Sequence, residues 1–168
     1  MGIAFYVAKK ETVFRFSESQ IQEKLAAKLP VSKTFFFIFQ LTLDHPRVTI
    51  VGETKRVRAA LDVVLNIVFG NESKPLNGTL DVSSGIVYAP ERGAFFLTDP
   101  IIERFAIDGM PEKYNEKINA ALTKAIAAYF IEQPIYTLRA ADTRQAAAKL
   151  VLKSVTVENG ELVVKLGI

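Results

Sequence analysis

From residue 34 to residue 107 apolar and polar positions alternate with a period of two, the pattern of strands that set one face on a core. In Thr34–Leu43 one face carries Phe35, Phe37, Phe39, Leu41 and Leu43, and the other Thr34, Phe36, Ile38, Gln40 and Thr42. Asp44-His45-Pro46 predicts a turn. Arg47–Thr54 then alternates again, with Val48 and Ile50 opposed to Arg47, Thr49 and Glu53. Arg56–Phe69 is the clearest strand: Val57, Ala59, Leu61, Val63, Leu65, Ile67 and Phe69 share a face opposite Arg56, Arg58, Asp62 and Asn66. A loop over residues 70–75 leads to a strand from Leu76 to Tyr88, and Ala89-Pro90-Glu91-Arg92-Gly93 joins it to another from Ala94 to Ile107. Pro100 has no N–H to give a ladder, which places it at a bulge or an edge. Consecutive two-faced strands with short loops predict one antiparallel meander.

The period shifts to that of a helix in two places. Ser17 and Gln20 form a capping box, with Phe16 and Ile21 set for a hydrophobic staple. The stripe Ile21, Leu25, Leu29 follows, and Pro30 stops the helix. The second helix runs from Pro111, suited to a first helical position, to Ile131. Tyr114, Ile118, Leu122, Ile126, Tyr129 and Phe130 recur on one face. From Ala125 to Ile131 no residue is charged, so the last turns read as enclosed on most sides. At 1.5 Å per residue the rod is about 30 Å long. Smaller signals flank these elements. Ile3–Val7 and Thr12–Phe16 are short strand pieces, and Ile135–Leu138 is extended. Asp142 and Gln145 form a second capping box, opening a short helix with Ala146, Ala147, Leu150 and Val151. Asn159-Gly160 joins Val155 and Val157 to Leu162 and Val164 as a hairpin. The expected fold class is therefore α+β, a single domain over residues 1–168. In it a long, coiled antiparallel meander wraps a long C-terminal helix, beside a shorter N-terminal one.

Composition narrows the function. The chain has 168 residues, 49% hydrophobic and 23% charged, with a net charge of +3. That is a folded, mildly basic protein and not a polyelectrolyte. It has no cysteine, hence no disulfide, thiolate metal site or cysteine nucleophile. No apolar run reaches the ~18–20 residues that span a bilayer. Residues 1–10 do not read as a signal peptide, because their charges follow the apolar part.

Candidate chemistry is sparse. His45 is the only histidine, and it sits in the expected turn with no second histidine to complete a metal site. Asp62 and Asp81 fall on polar strand faces, which favours solvated positions over an acid/base pair. Ser83 and Ser84 have no histidine base and no glycine elbow. No glycine-rich phosphate loop is present. Arg47, Lys55, Arg56 and Arg58 cluster without aromatic stacking partners, which argues against nucleic acid. What stands out is apolar surface on Phe35, Phe37, Phe39, Leu61, Leu65, Ile118, Leu122 and Ile126. These residues either cover one another or line an elongated apolar groove between sheet and helix.

A series of landmarks runs in order along the chain. It consists of Phe16-Ser17-Glu18-Ser19-Gln20-Ile21, Pro46-Arg47-Val48-Thr49, Gly93-Ala94-Phe95-Phe96-Leu97, the long helix, Gln133-Pro134-Ile135-Tyr136-Thr137-Leu138, and Asn159-Gly160. The series resembles the YceB-like bacterial envelope lipoproteins, a family of unknown function, from roughly Thr12 to Leu166. The resemblance implies a coiled sheet around a long helix, similar to tubular lipid-binding (TULIP-like) domains. It also implies export to the periplasm and membrane association through an N-terminal lipid anchor, although no cysteine is present to carry one. It supplies no catalytic residues to carry over, and no metal or cofactor is expected. The expected function is thus non-enzymatic binding of a lipid or other elongated apolar ligand. The alternative is an envelope interaction or scaffold protein with a filled core.

Overall fold

The computed structural model describes residues 5–8, 11–35, 37–69, 71–138 and 150–168. The helix opening at Asp142 lies outside the described residues. In chain order the elements are β1 (Phe5–Ala8), β2 (Glu11–Phe16), α1 (Glu18–Ala26), β3 (Val31–Phe35), β4 (Phe39–Val51), β5 (Arg56–Phe69), β6 (Glu72–Ala89) and β7 (Ala94–Ile107). A 3-10 turn (Glu112–Tyr114) then leads into α2 (Asn115–Glu132), followed by β8 (Tyr136–Thr137), β9 (Val151–Glu158) and β10 (Glu161–Gly167).

Several elements form where the pattern places them. β5 and β7 have the expected bounds. The α1 capping box is reciprocal: the Gln20 N–H donates to Ser17 Oγ at 3.2 Å, and the Ser17 N–H donates to Gln20 Oε1 at 2.9 Å. Asn159 and Gly160, both at positive φ, turn β9 into β10. Pro100 sits at a bulge as its missing N–H requires: Thr98 faces Gly85 and Ile101 faces Ser83, leaving Asp99 and Pro100 opposite Ser84 alone.

The architecture departs from the single wrapped meander. The chain is mostly β, in two antiparallel sheets, with two α-helices among the described residues, one of them short. A six-stranded sheet has the order β3-β4-β5-β6-β7-β8, and a four-stranded sheet the order β1-β2-β10-β9. The second sheet arises because the two ends of the chain pair with each other. β10 lies between β2 and β9, so the C-terminal hairpin and the N-terminal strands complete one ladder instead of extending the meander. Helix α2 is not encircled either. Ile118, Ala121, Leu122, Ala125, Ile126 and Phe130 are buried, but Asn119, Ala120, Thr123, Lys124 and Ile131 are exposed. The helix lies along one face of the larger sheet, so neither the α+β wrap nor the TULIP-like tube is formed.

Two local departures have clear causes. Residues 34–43 are not one strand: Phe35 pairs with Phe39, so the chain reverses there and Phe37 sits at the turn with φ 64°. Asp44-His45-Pro46 does not end a strand but bulges one. The register moves from Asp44 opposite Asp62 to Arg47 opposite Ala60, so His45 and Pro46 together face Leu61. Pro46 could not donate to the ladder, and a bulge keeps β4 continuous around it. Just past it, the Val48 N–H donates to Gln22 Oε1 of α1 at 3.0 Å.

One core joins both layers. The inward rows of β4, β5 and β6 are covered by α1, α2 and the second sheet. At the sheet-to-sheet contact Phe95 meets Phe14 and Phe16 edge-on, with ring centroids 4.9 and 5.3 Å apart. Such pairs add roughly 0.5–1.5 kcal/mol beyond the area they bury.

Candidate functional site

The seam between α1, α2 and the six-stranded sheet concentrates the apolar surface singled out in the sequence. Ala121 and Ala125 bring α2 close to the sheet, while Ile118, Leu122, Ile126 and Phe130 fill the space between. Six of the eight groove residues are buried in this common core: Phe39, Leu61, Leu65, Ile118, Leu122 and Ile126. Phe35 is half-buried on the edge strand and packs against the core. Phe37 is not there at all; it stands 97% exposed at the β3–β4 turn. A period-two reading carried Phe37 inward because nothing in Phe35–Phe39 is a glycine, proline or asparagine to announce a reversal.

Two small voids remain in the seam. One, of about 20 Å³, lies among Leu25, Leu29, Leu43, Leu61, Ile126 and Phe130. The other, also about 20 Å³, lies among Val31, Leu41, Leu43, Ala125 and Glu132. Leu43 and Tyr129 line both. Each has room for about one water-sized probe. In this conformation the seam is packed and holds no continuous channel among the described residues.

Tyr129 closes the seam. Its hydroxyl donates to the backbone carbonyl of Leu25 at 2.7 Å, joining α2 to α1. Burial pushes its phenol up to about 12, so it remains a neutral donor through the physiological range. The periodicity placed Tyr129 in the apolar stripe but not its bond. The signal was there, in a lone hydroxyl inside the uncharged run from Ala125 to Ile131. Outside this contact an open groove of about 480 Å³ lies between Lys24 of α1, with Ala27 and Lys28 just past its end, and Gln133, Pro134 and Tyr136 beyond α2. Helix α1 therefore separates a surface groove with two lysines from an apolar interior lined by Leu25 and Leu29.

The far end of α2 is firmly held. Arg92 donates to the Ile131 carbonyl at 3.0 Å, a cation at a helix C-terminus. It also lies 4.2 Å over the Phe96 ring. The Ile135 and Leu138 N–H groups donate to Phe95 and Gly93.

The outer face of the sheet carries cross-strand ion pairs. Arg47 meets Asp62 at 3.1 Å, Arg58 meets Asp81 at 3.2 Å and Arg56 meets Asp99 at 3.5 Å. His45 lies 3.4 Å from Asp62 and is itself largely exposed. Each of these three arginines has a carboxylate partner. Ser83 is buried, donates to Glu103 at 2.7 Å and accepts from Arg56, a bridge between neighbouring strands. Among the described residues no three His, Cys, Asp or Glu side chains converge as a metal site. Among the same residues no helix is long and apolar enough to cross a membrane.

Residues 16–161 match a family model described as a protein of unknown function, DUF1439. The chain belongs to the DUF1439 family. The match begins at the last residue of β2 and ends at the first of β10, so it takes in α1, the whole six-stranded sheet and α2. DUF1439 carries no reaction or ligand with its description, and neither the YceB-like nor the TULIP-like name comes with it. No curated protein matches the chain.

Proposed function

We propose that this DUF1439 protein is a non-enzymatic binding protein of the periplasmic envelope. In this reading it takes a lipid acyl chain, or another elongated apolar ligand, into the seam between α1, α2 and the six-stranded sheet. The observation that carries the reading is the pair of small voids that share Leu43 and Tyr129, one lined by apolar side chains and the other also by Lys33 and Glu132, behind a helix whose other side faces an open groove. The seam is closed as it stands, so a ligand enters by parting α1 from α2. Helix α1 is the element that moves. It has nine residues and is tied to α2 by the Tyr129 hydroxyl, whereas α2 is anchored by Arg92 and by the strand that follows it. The energetics are compatible. About a dozen methylenes at about 0.8 kcal/mol each offer roughly 10 kcal/mol. Displacing two large side chains and one hydrogen bond costs about 4–7 kcal/mol. Lys24 and Lys28 then stand where an anionic headgroup would rest. The envelope location rests on the ordered landmarks from Phe16 to Gly160.

Organic extraction of the purified protein followed by mass spectrometry tests this. A co-purifying lipid in near-stoichiometric amount supports the reading, and a clean extract from protein made in its native envelope counts against it. The small size of the voids favours a second reading, a packed scaffold whose outer surfaces do the work. In that case crosslinking in cells captures a defined partner while the extract stays clean.

A further inference from the structure

One edge of the larger sheet is open. β8 pairs only with Ala94 and Phe95, so among the described residues no strand lies beside β7 from Phe96 to Ile107 on that side. The bulge at Pro100 and a register shift at Glu103 interrupt the first part of this edge. Beyond them it is regular. Arg104 stands opposite Asp81, Phe105 opposite Leu80, Ala106 opposite Thr79 and Ile107 opposite Gly78, and the Asp108 N–H donates to the Asn77 carbonyl at 3.1 Å. Backbone groups alternate sides along an antiparallel strand. Asp108 turns its amide towards β6, so Ala106 and Arg104 do the same, and Phe105 and Ile107 turn theirs to the open edge. A groove of about 490 Å³ follows this edge, between Phe105 and Ile107 on one side and Asn115 and Asn119 of α2 on the other.

The side chains along the edge form an ordered series. Arg104, Ala106 and Asp108 are exposed, while Phe105 and Ile107 are half-buried and pack against the core. Arg47, Arg56 and Arg58 each meet a carboxylate within their own sheet. Arg104 does not, because the Asp81 opposite it meets Arg58. Among the described residues neither Arg104 nor Asp108 makes an ion pair.

We infer that this edge pairs with the same edge of a second copy of the chain, about a two-fold axis at Ala106. A two-fold interface must be its own complement, and this series is. With Ala106 opposite itself, Arg104 falls opposite Asp108 of the second copy, and Asp108 opposite its Arg104. Phe105 falls opposite Ile107, and both turn open backbone groups to the partner, in register to exchange N–H···O=C bonds. The exposed face gains two ion pairs, and the other face two apolar pairs that extend the core. Ala106 occupies a pair without hydrogen bonds, where opposed Cα atoms approach to about 4.5 Å and a small side chain fits. An axis at Arg104 or Asp108 would oppose like charges, and one at Phe105 or Ile107 would pair neither charge, so the charges select this register. So short a run of strand buries less than the roughly 1,000 Å² of a stable interface, so the association is weak and reversible. It does not rest on a ligand in the seam.

The chain has no cysteine, so Ala106→Cys places a single thiol at the axis. Mild oxidation of the purified protein then gives a disulfide-linked dimer. Thr79→Cys, exposed one strand further in, crosslinks far more slowly under the same conditions. Without crosslinking, sedimentation equilibrium shows a dimer whose dissociation constant rises about tenfold or more in Arg104→Asp. Combining Arg104→Asp with Asp108→Arg restores the dimer, a rescue that damage to the fold would not give. Both positions are exposed, so the thermal midpoint stays at the parent value in each variant. Protein that is monomeric at every concentration, Ala106→Cys that crosslinks no faster than Thr79→Cys, or a double exchange as weak as the single one overturns the inference.

Discussion

The Tyr129 hydroxyl donates to the Leu25 carbonyl at 2.7 Å, a contact between residues 104 positions apart that joins the two helices over the sheet. It is a polar tie in a seam lined mainly by apolar side chains, and the account of ligand entry turns on it. Replacing Tyr129 with Phe keeps the ring and removes the bond. The expected loss is about 1 kcal/mol, or roughly 2–4 °C in the thermal midpoint of a chain this long. Hydrogen exchange of the α1 amides should quicken by more than the global change explains, because the helix it tethered opens more often. Exchange that changes only with global stability would remove Tyr129 from the role of latch.

The same phenol sets a pH dependence. Its folded value, about 12, lies above the ordinary 10 of an unfolded tyrosine. The folded state therefore holds the proton more tightly, and stability is complete below pH 10 and falls as pH rises from 10 towards 12. Tyr88, raised by burial and by the nearby Glu91 carboxylate, acts in the same direction. Denaturant unfolding across this range should show the decline in the parent. Tyr129→Phe should flatten part of it and leave the part due to Tyr88.

Leu43 lines both voids, so Leu43→Ala should enlarge and join them. The expected cost is about 2–5 kcal/mol, as for other buried leucines. Affinity for a long-chain fatty acid should rise if the seam is the site, since space now stands open that a ligand otherwise has to make. A destabilised variant with unchanged affinity would place the ligand elsewhere.

Lys24 and Lys28 give the seam a polar end. Changing both to Glu alters exposed residues and should leave stability within about 0.5 kcal/mol. Binding of a fatty acid should weaken several-fold while binding of the corresponding neutral alcohol holds. Equal weakening of both ligands would speak for a change in α1 and not for headgroup recognition.

Gly78 tests the fold itself. A Cβ there would collide with the Ala106 carbonyl oxygen and the Ile107 side chain on the neighbouring strand. Gly78→Ala should destabilise by about 1–3 kcal/mol, measured by denaturant unfolding, with no effect specific to ligand affinity.

Much of this arrangement could be read from residue order alone. Period-two alternation bounded β5, whose inward row from Val57 to Ile67 is buried throughout, and the turn residues from Ala89 to Gly93 set the start of β7, which carries a bulge at Pro100. Ser17 with Gln20, and Asn159 with Gly160, announced a helix start and a hairpin through local hydrogen bonding and backbone preference. The reversal at Phe37 was illegible, because a phenylalanine at positive φ carries no turn signal. The pairing of β2 with β10 was illegible for another reason: Val13 and Lys165 meet across nearly the whole chain, and alternation does not name a strand's neighbour. The wrapped helix was an over-reading of Ala125–Ile131. A run without charge does not require enclosure, and Ile131 is 68% exposed. Of the eight groove residues, those on β4, β5 and α2 share one core because their period was right. Phe37 left it because the strand it was assigned to is two strands.

The most direct test of the seam is a titration of the purified protein with cis-parinaric acid followed by its fluorescence. A single saturable site, displaced by oleate and altered by Leu43→Ala, is the expected result. Binding that never saturates, or none in protein shown to be folded and free of endogenous lipid, would contradict it.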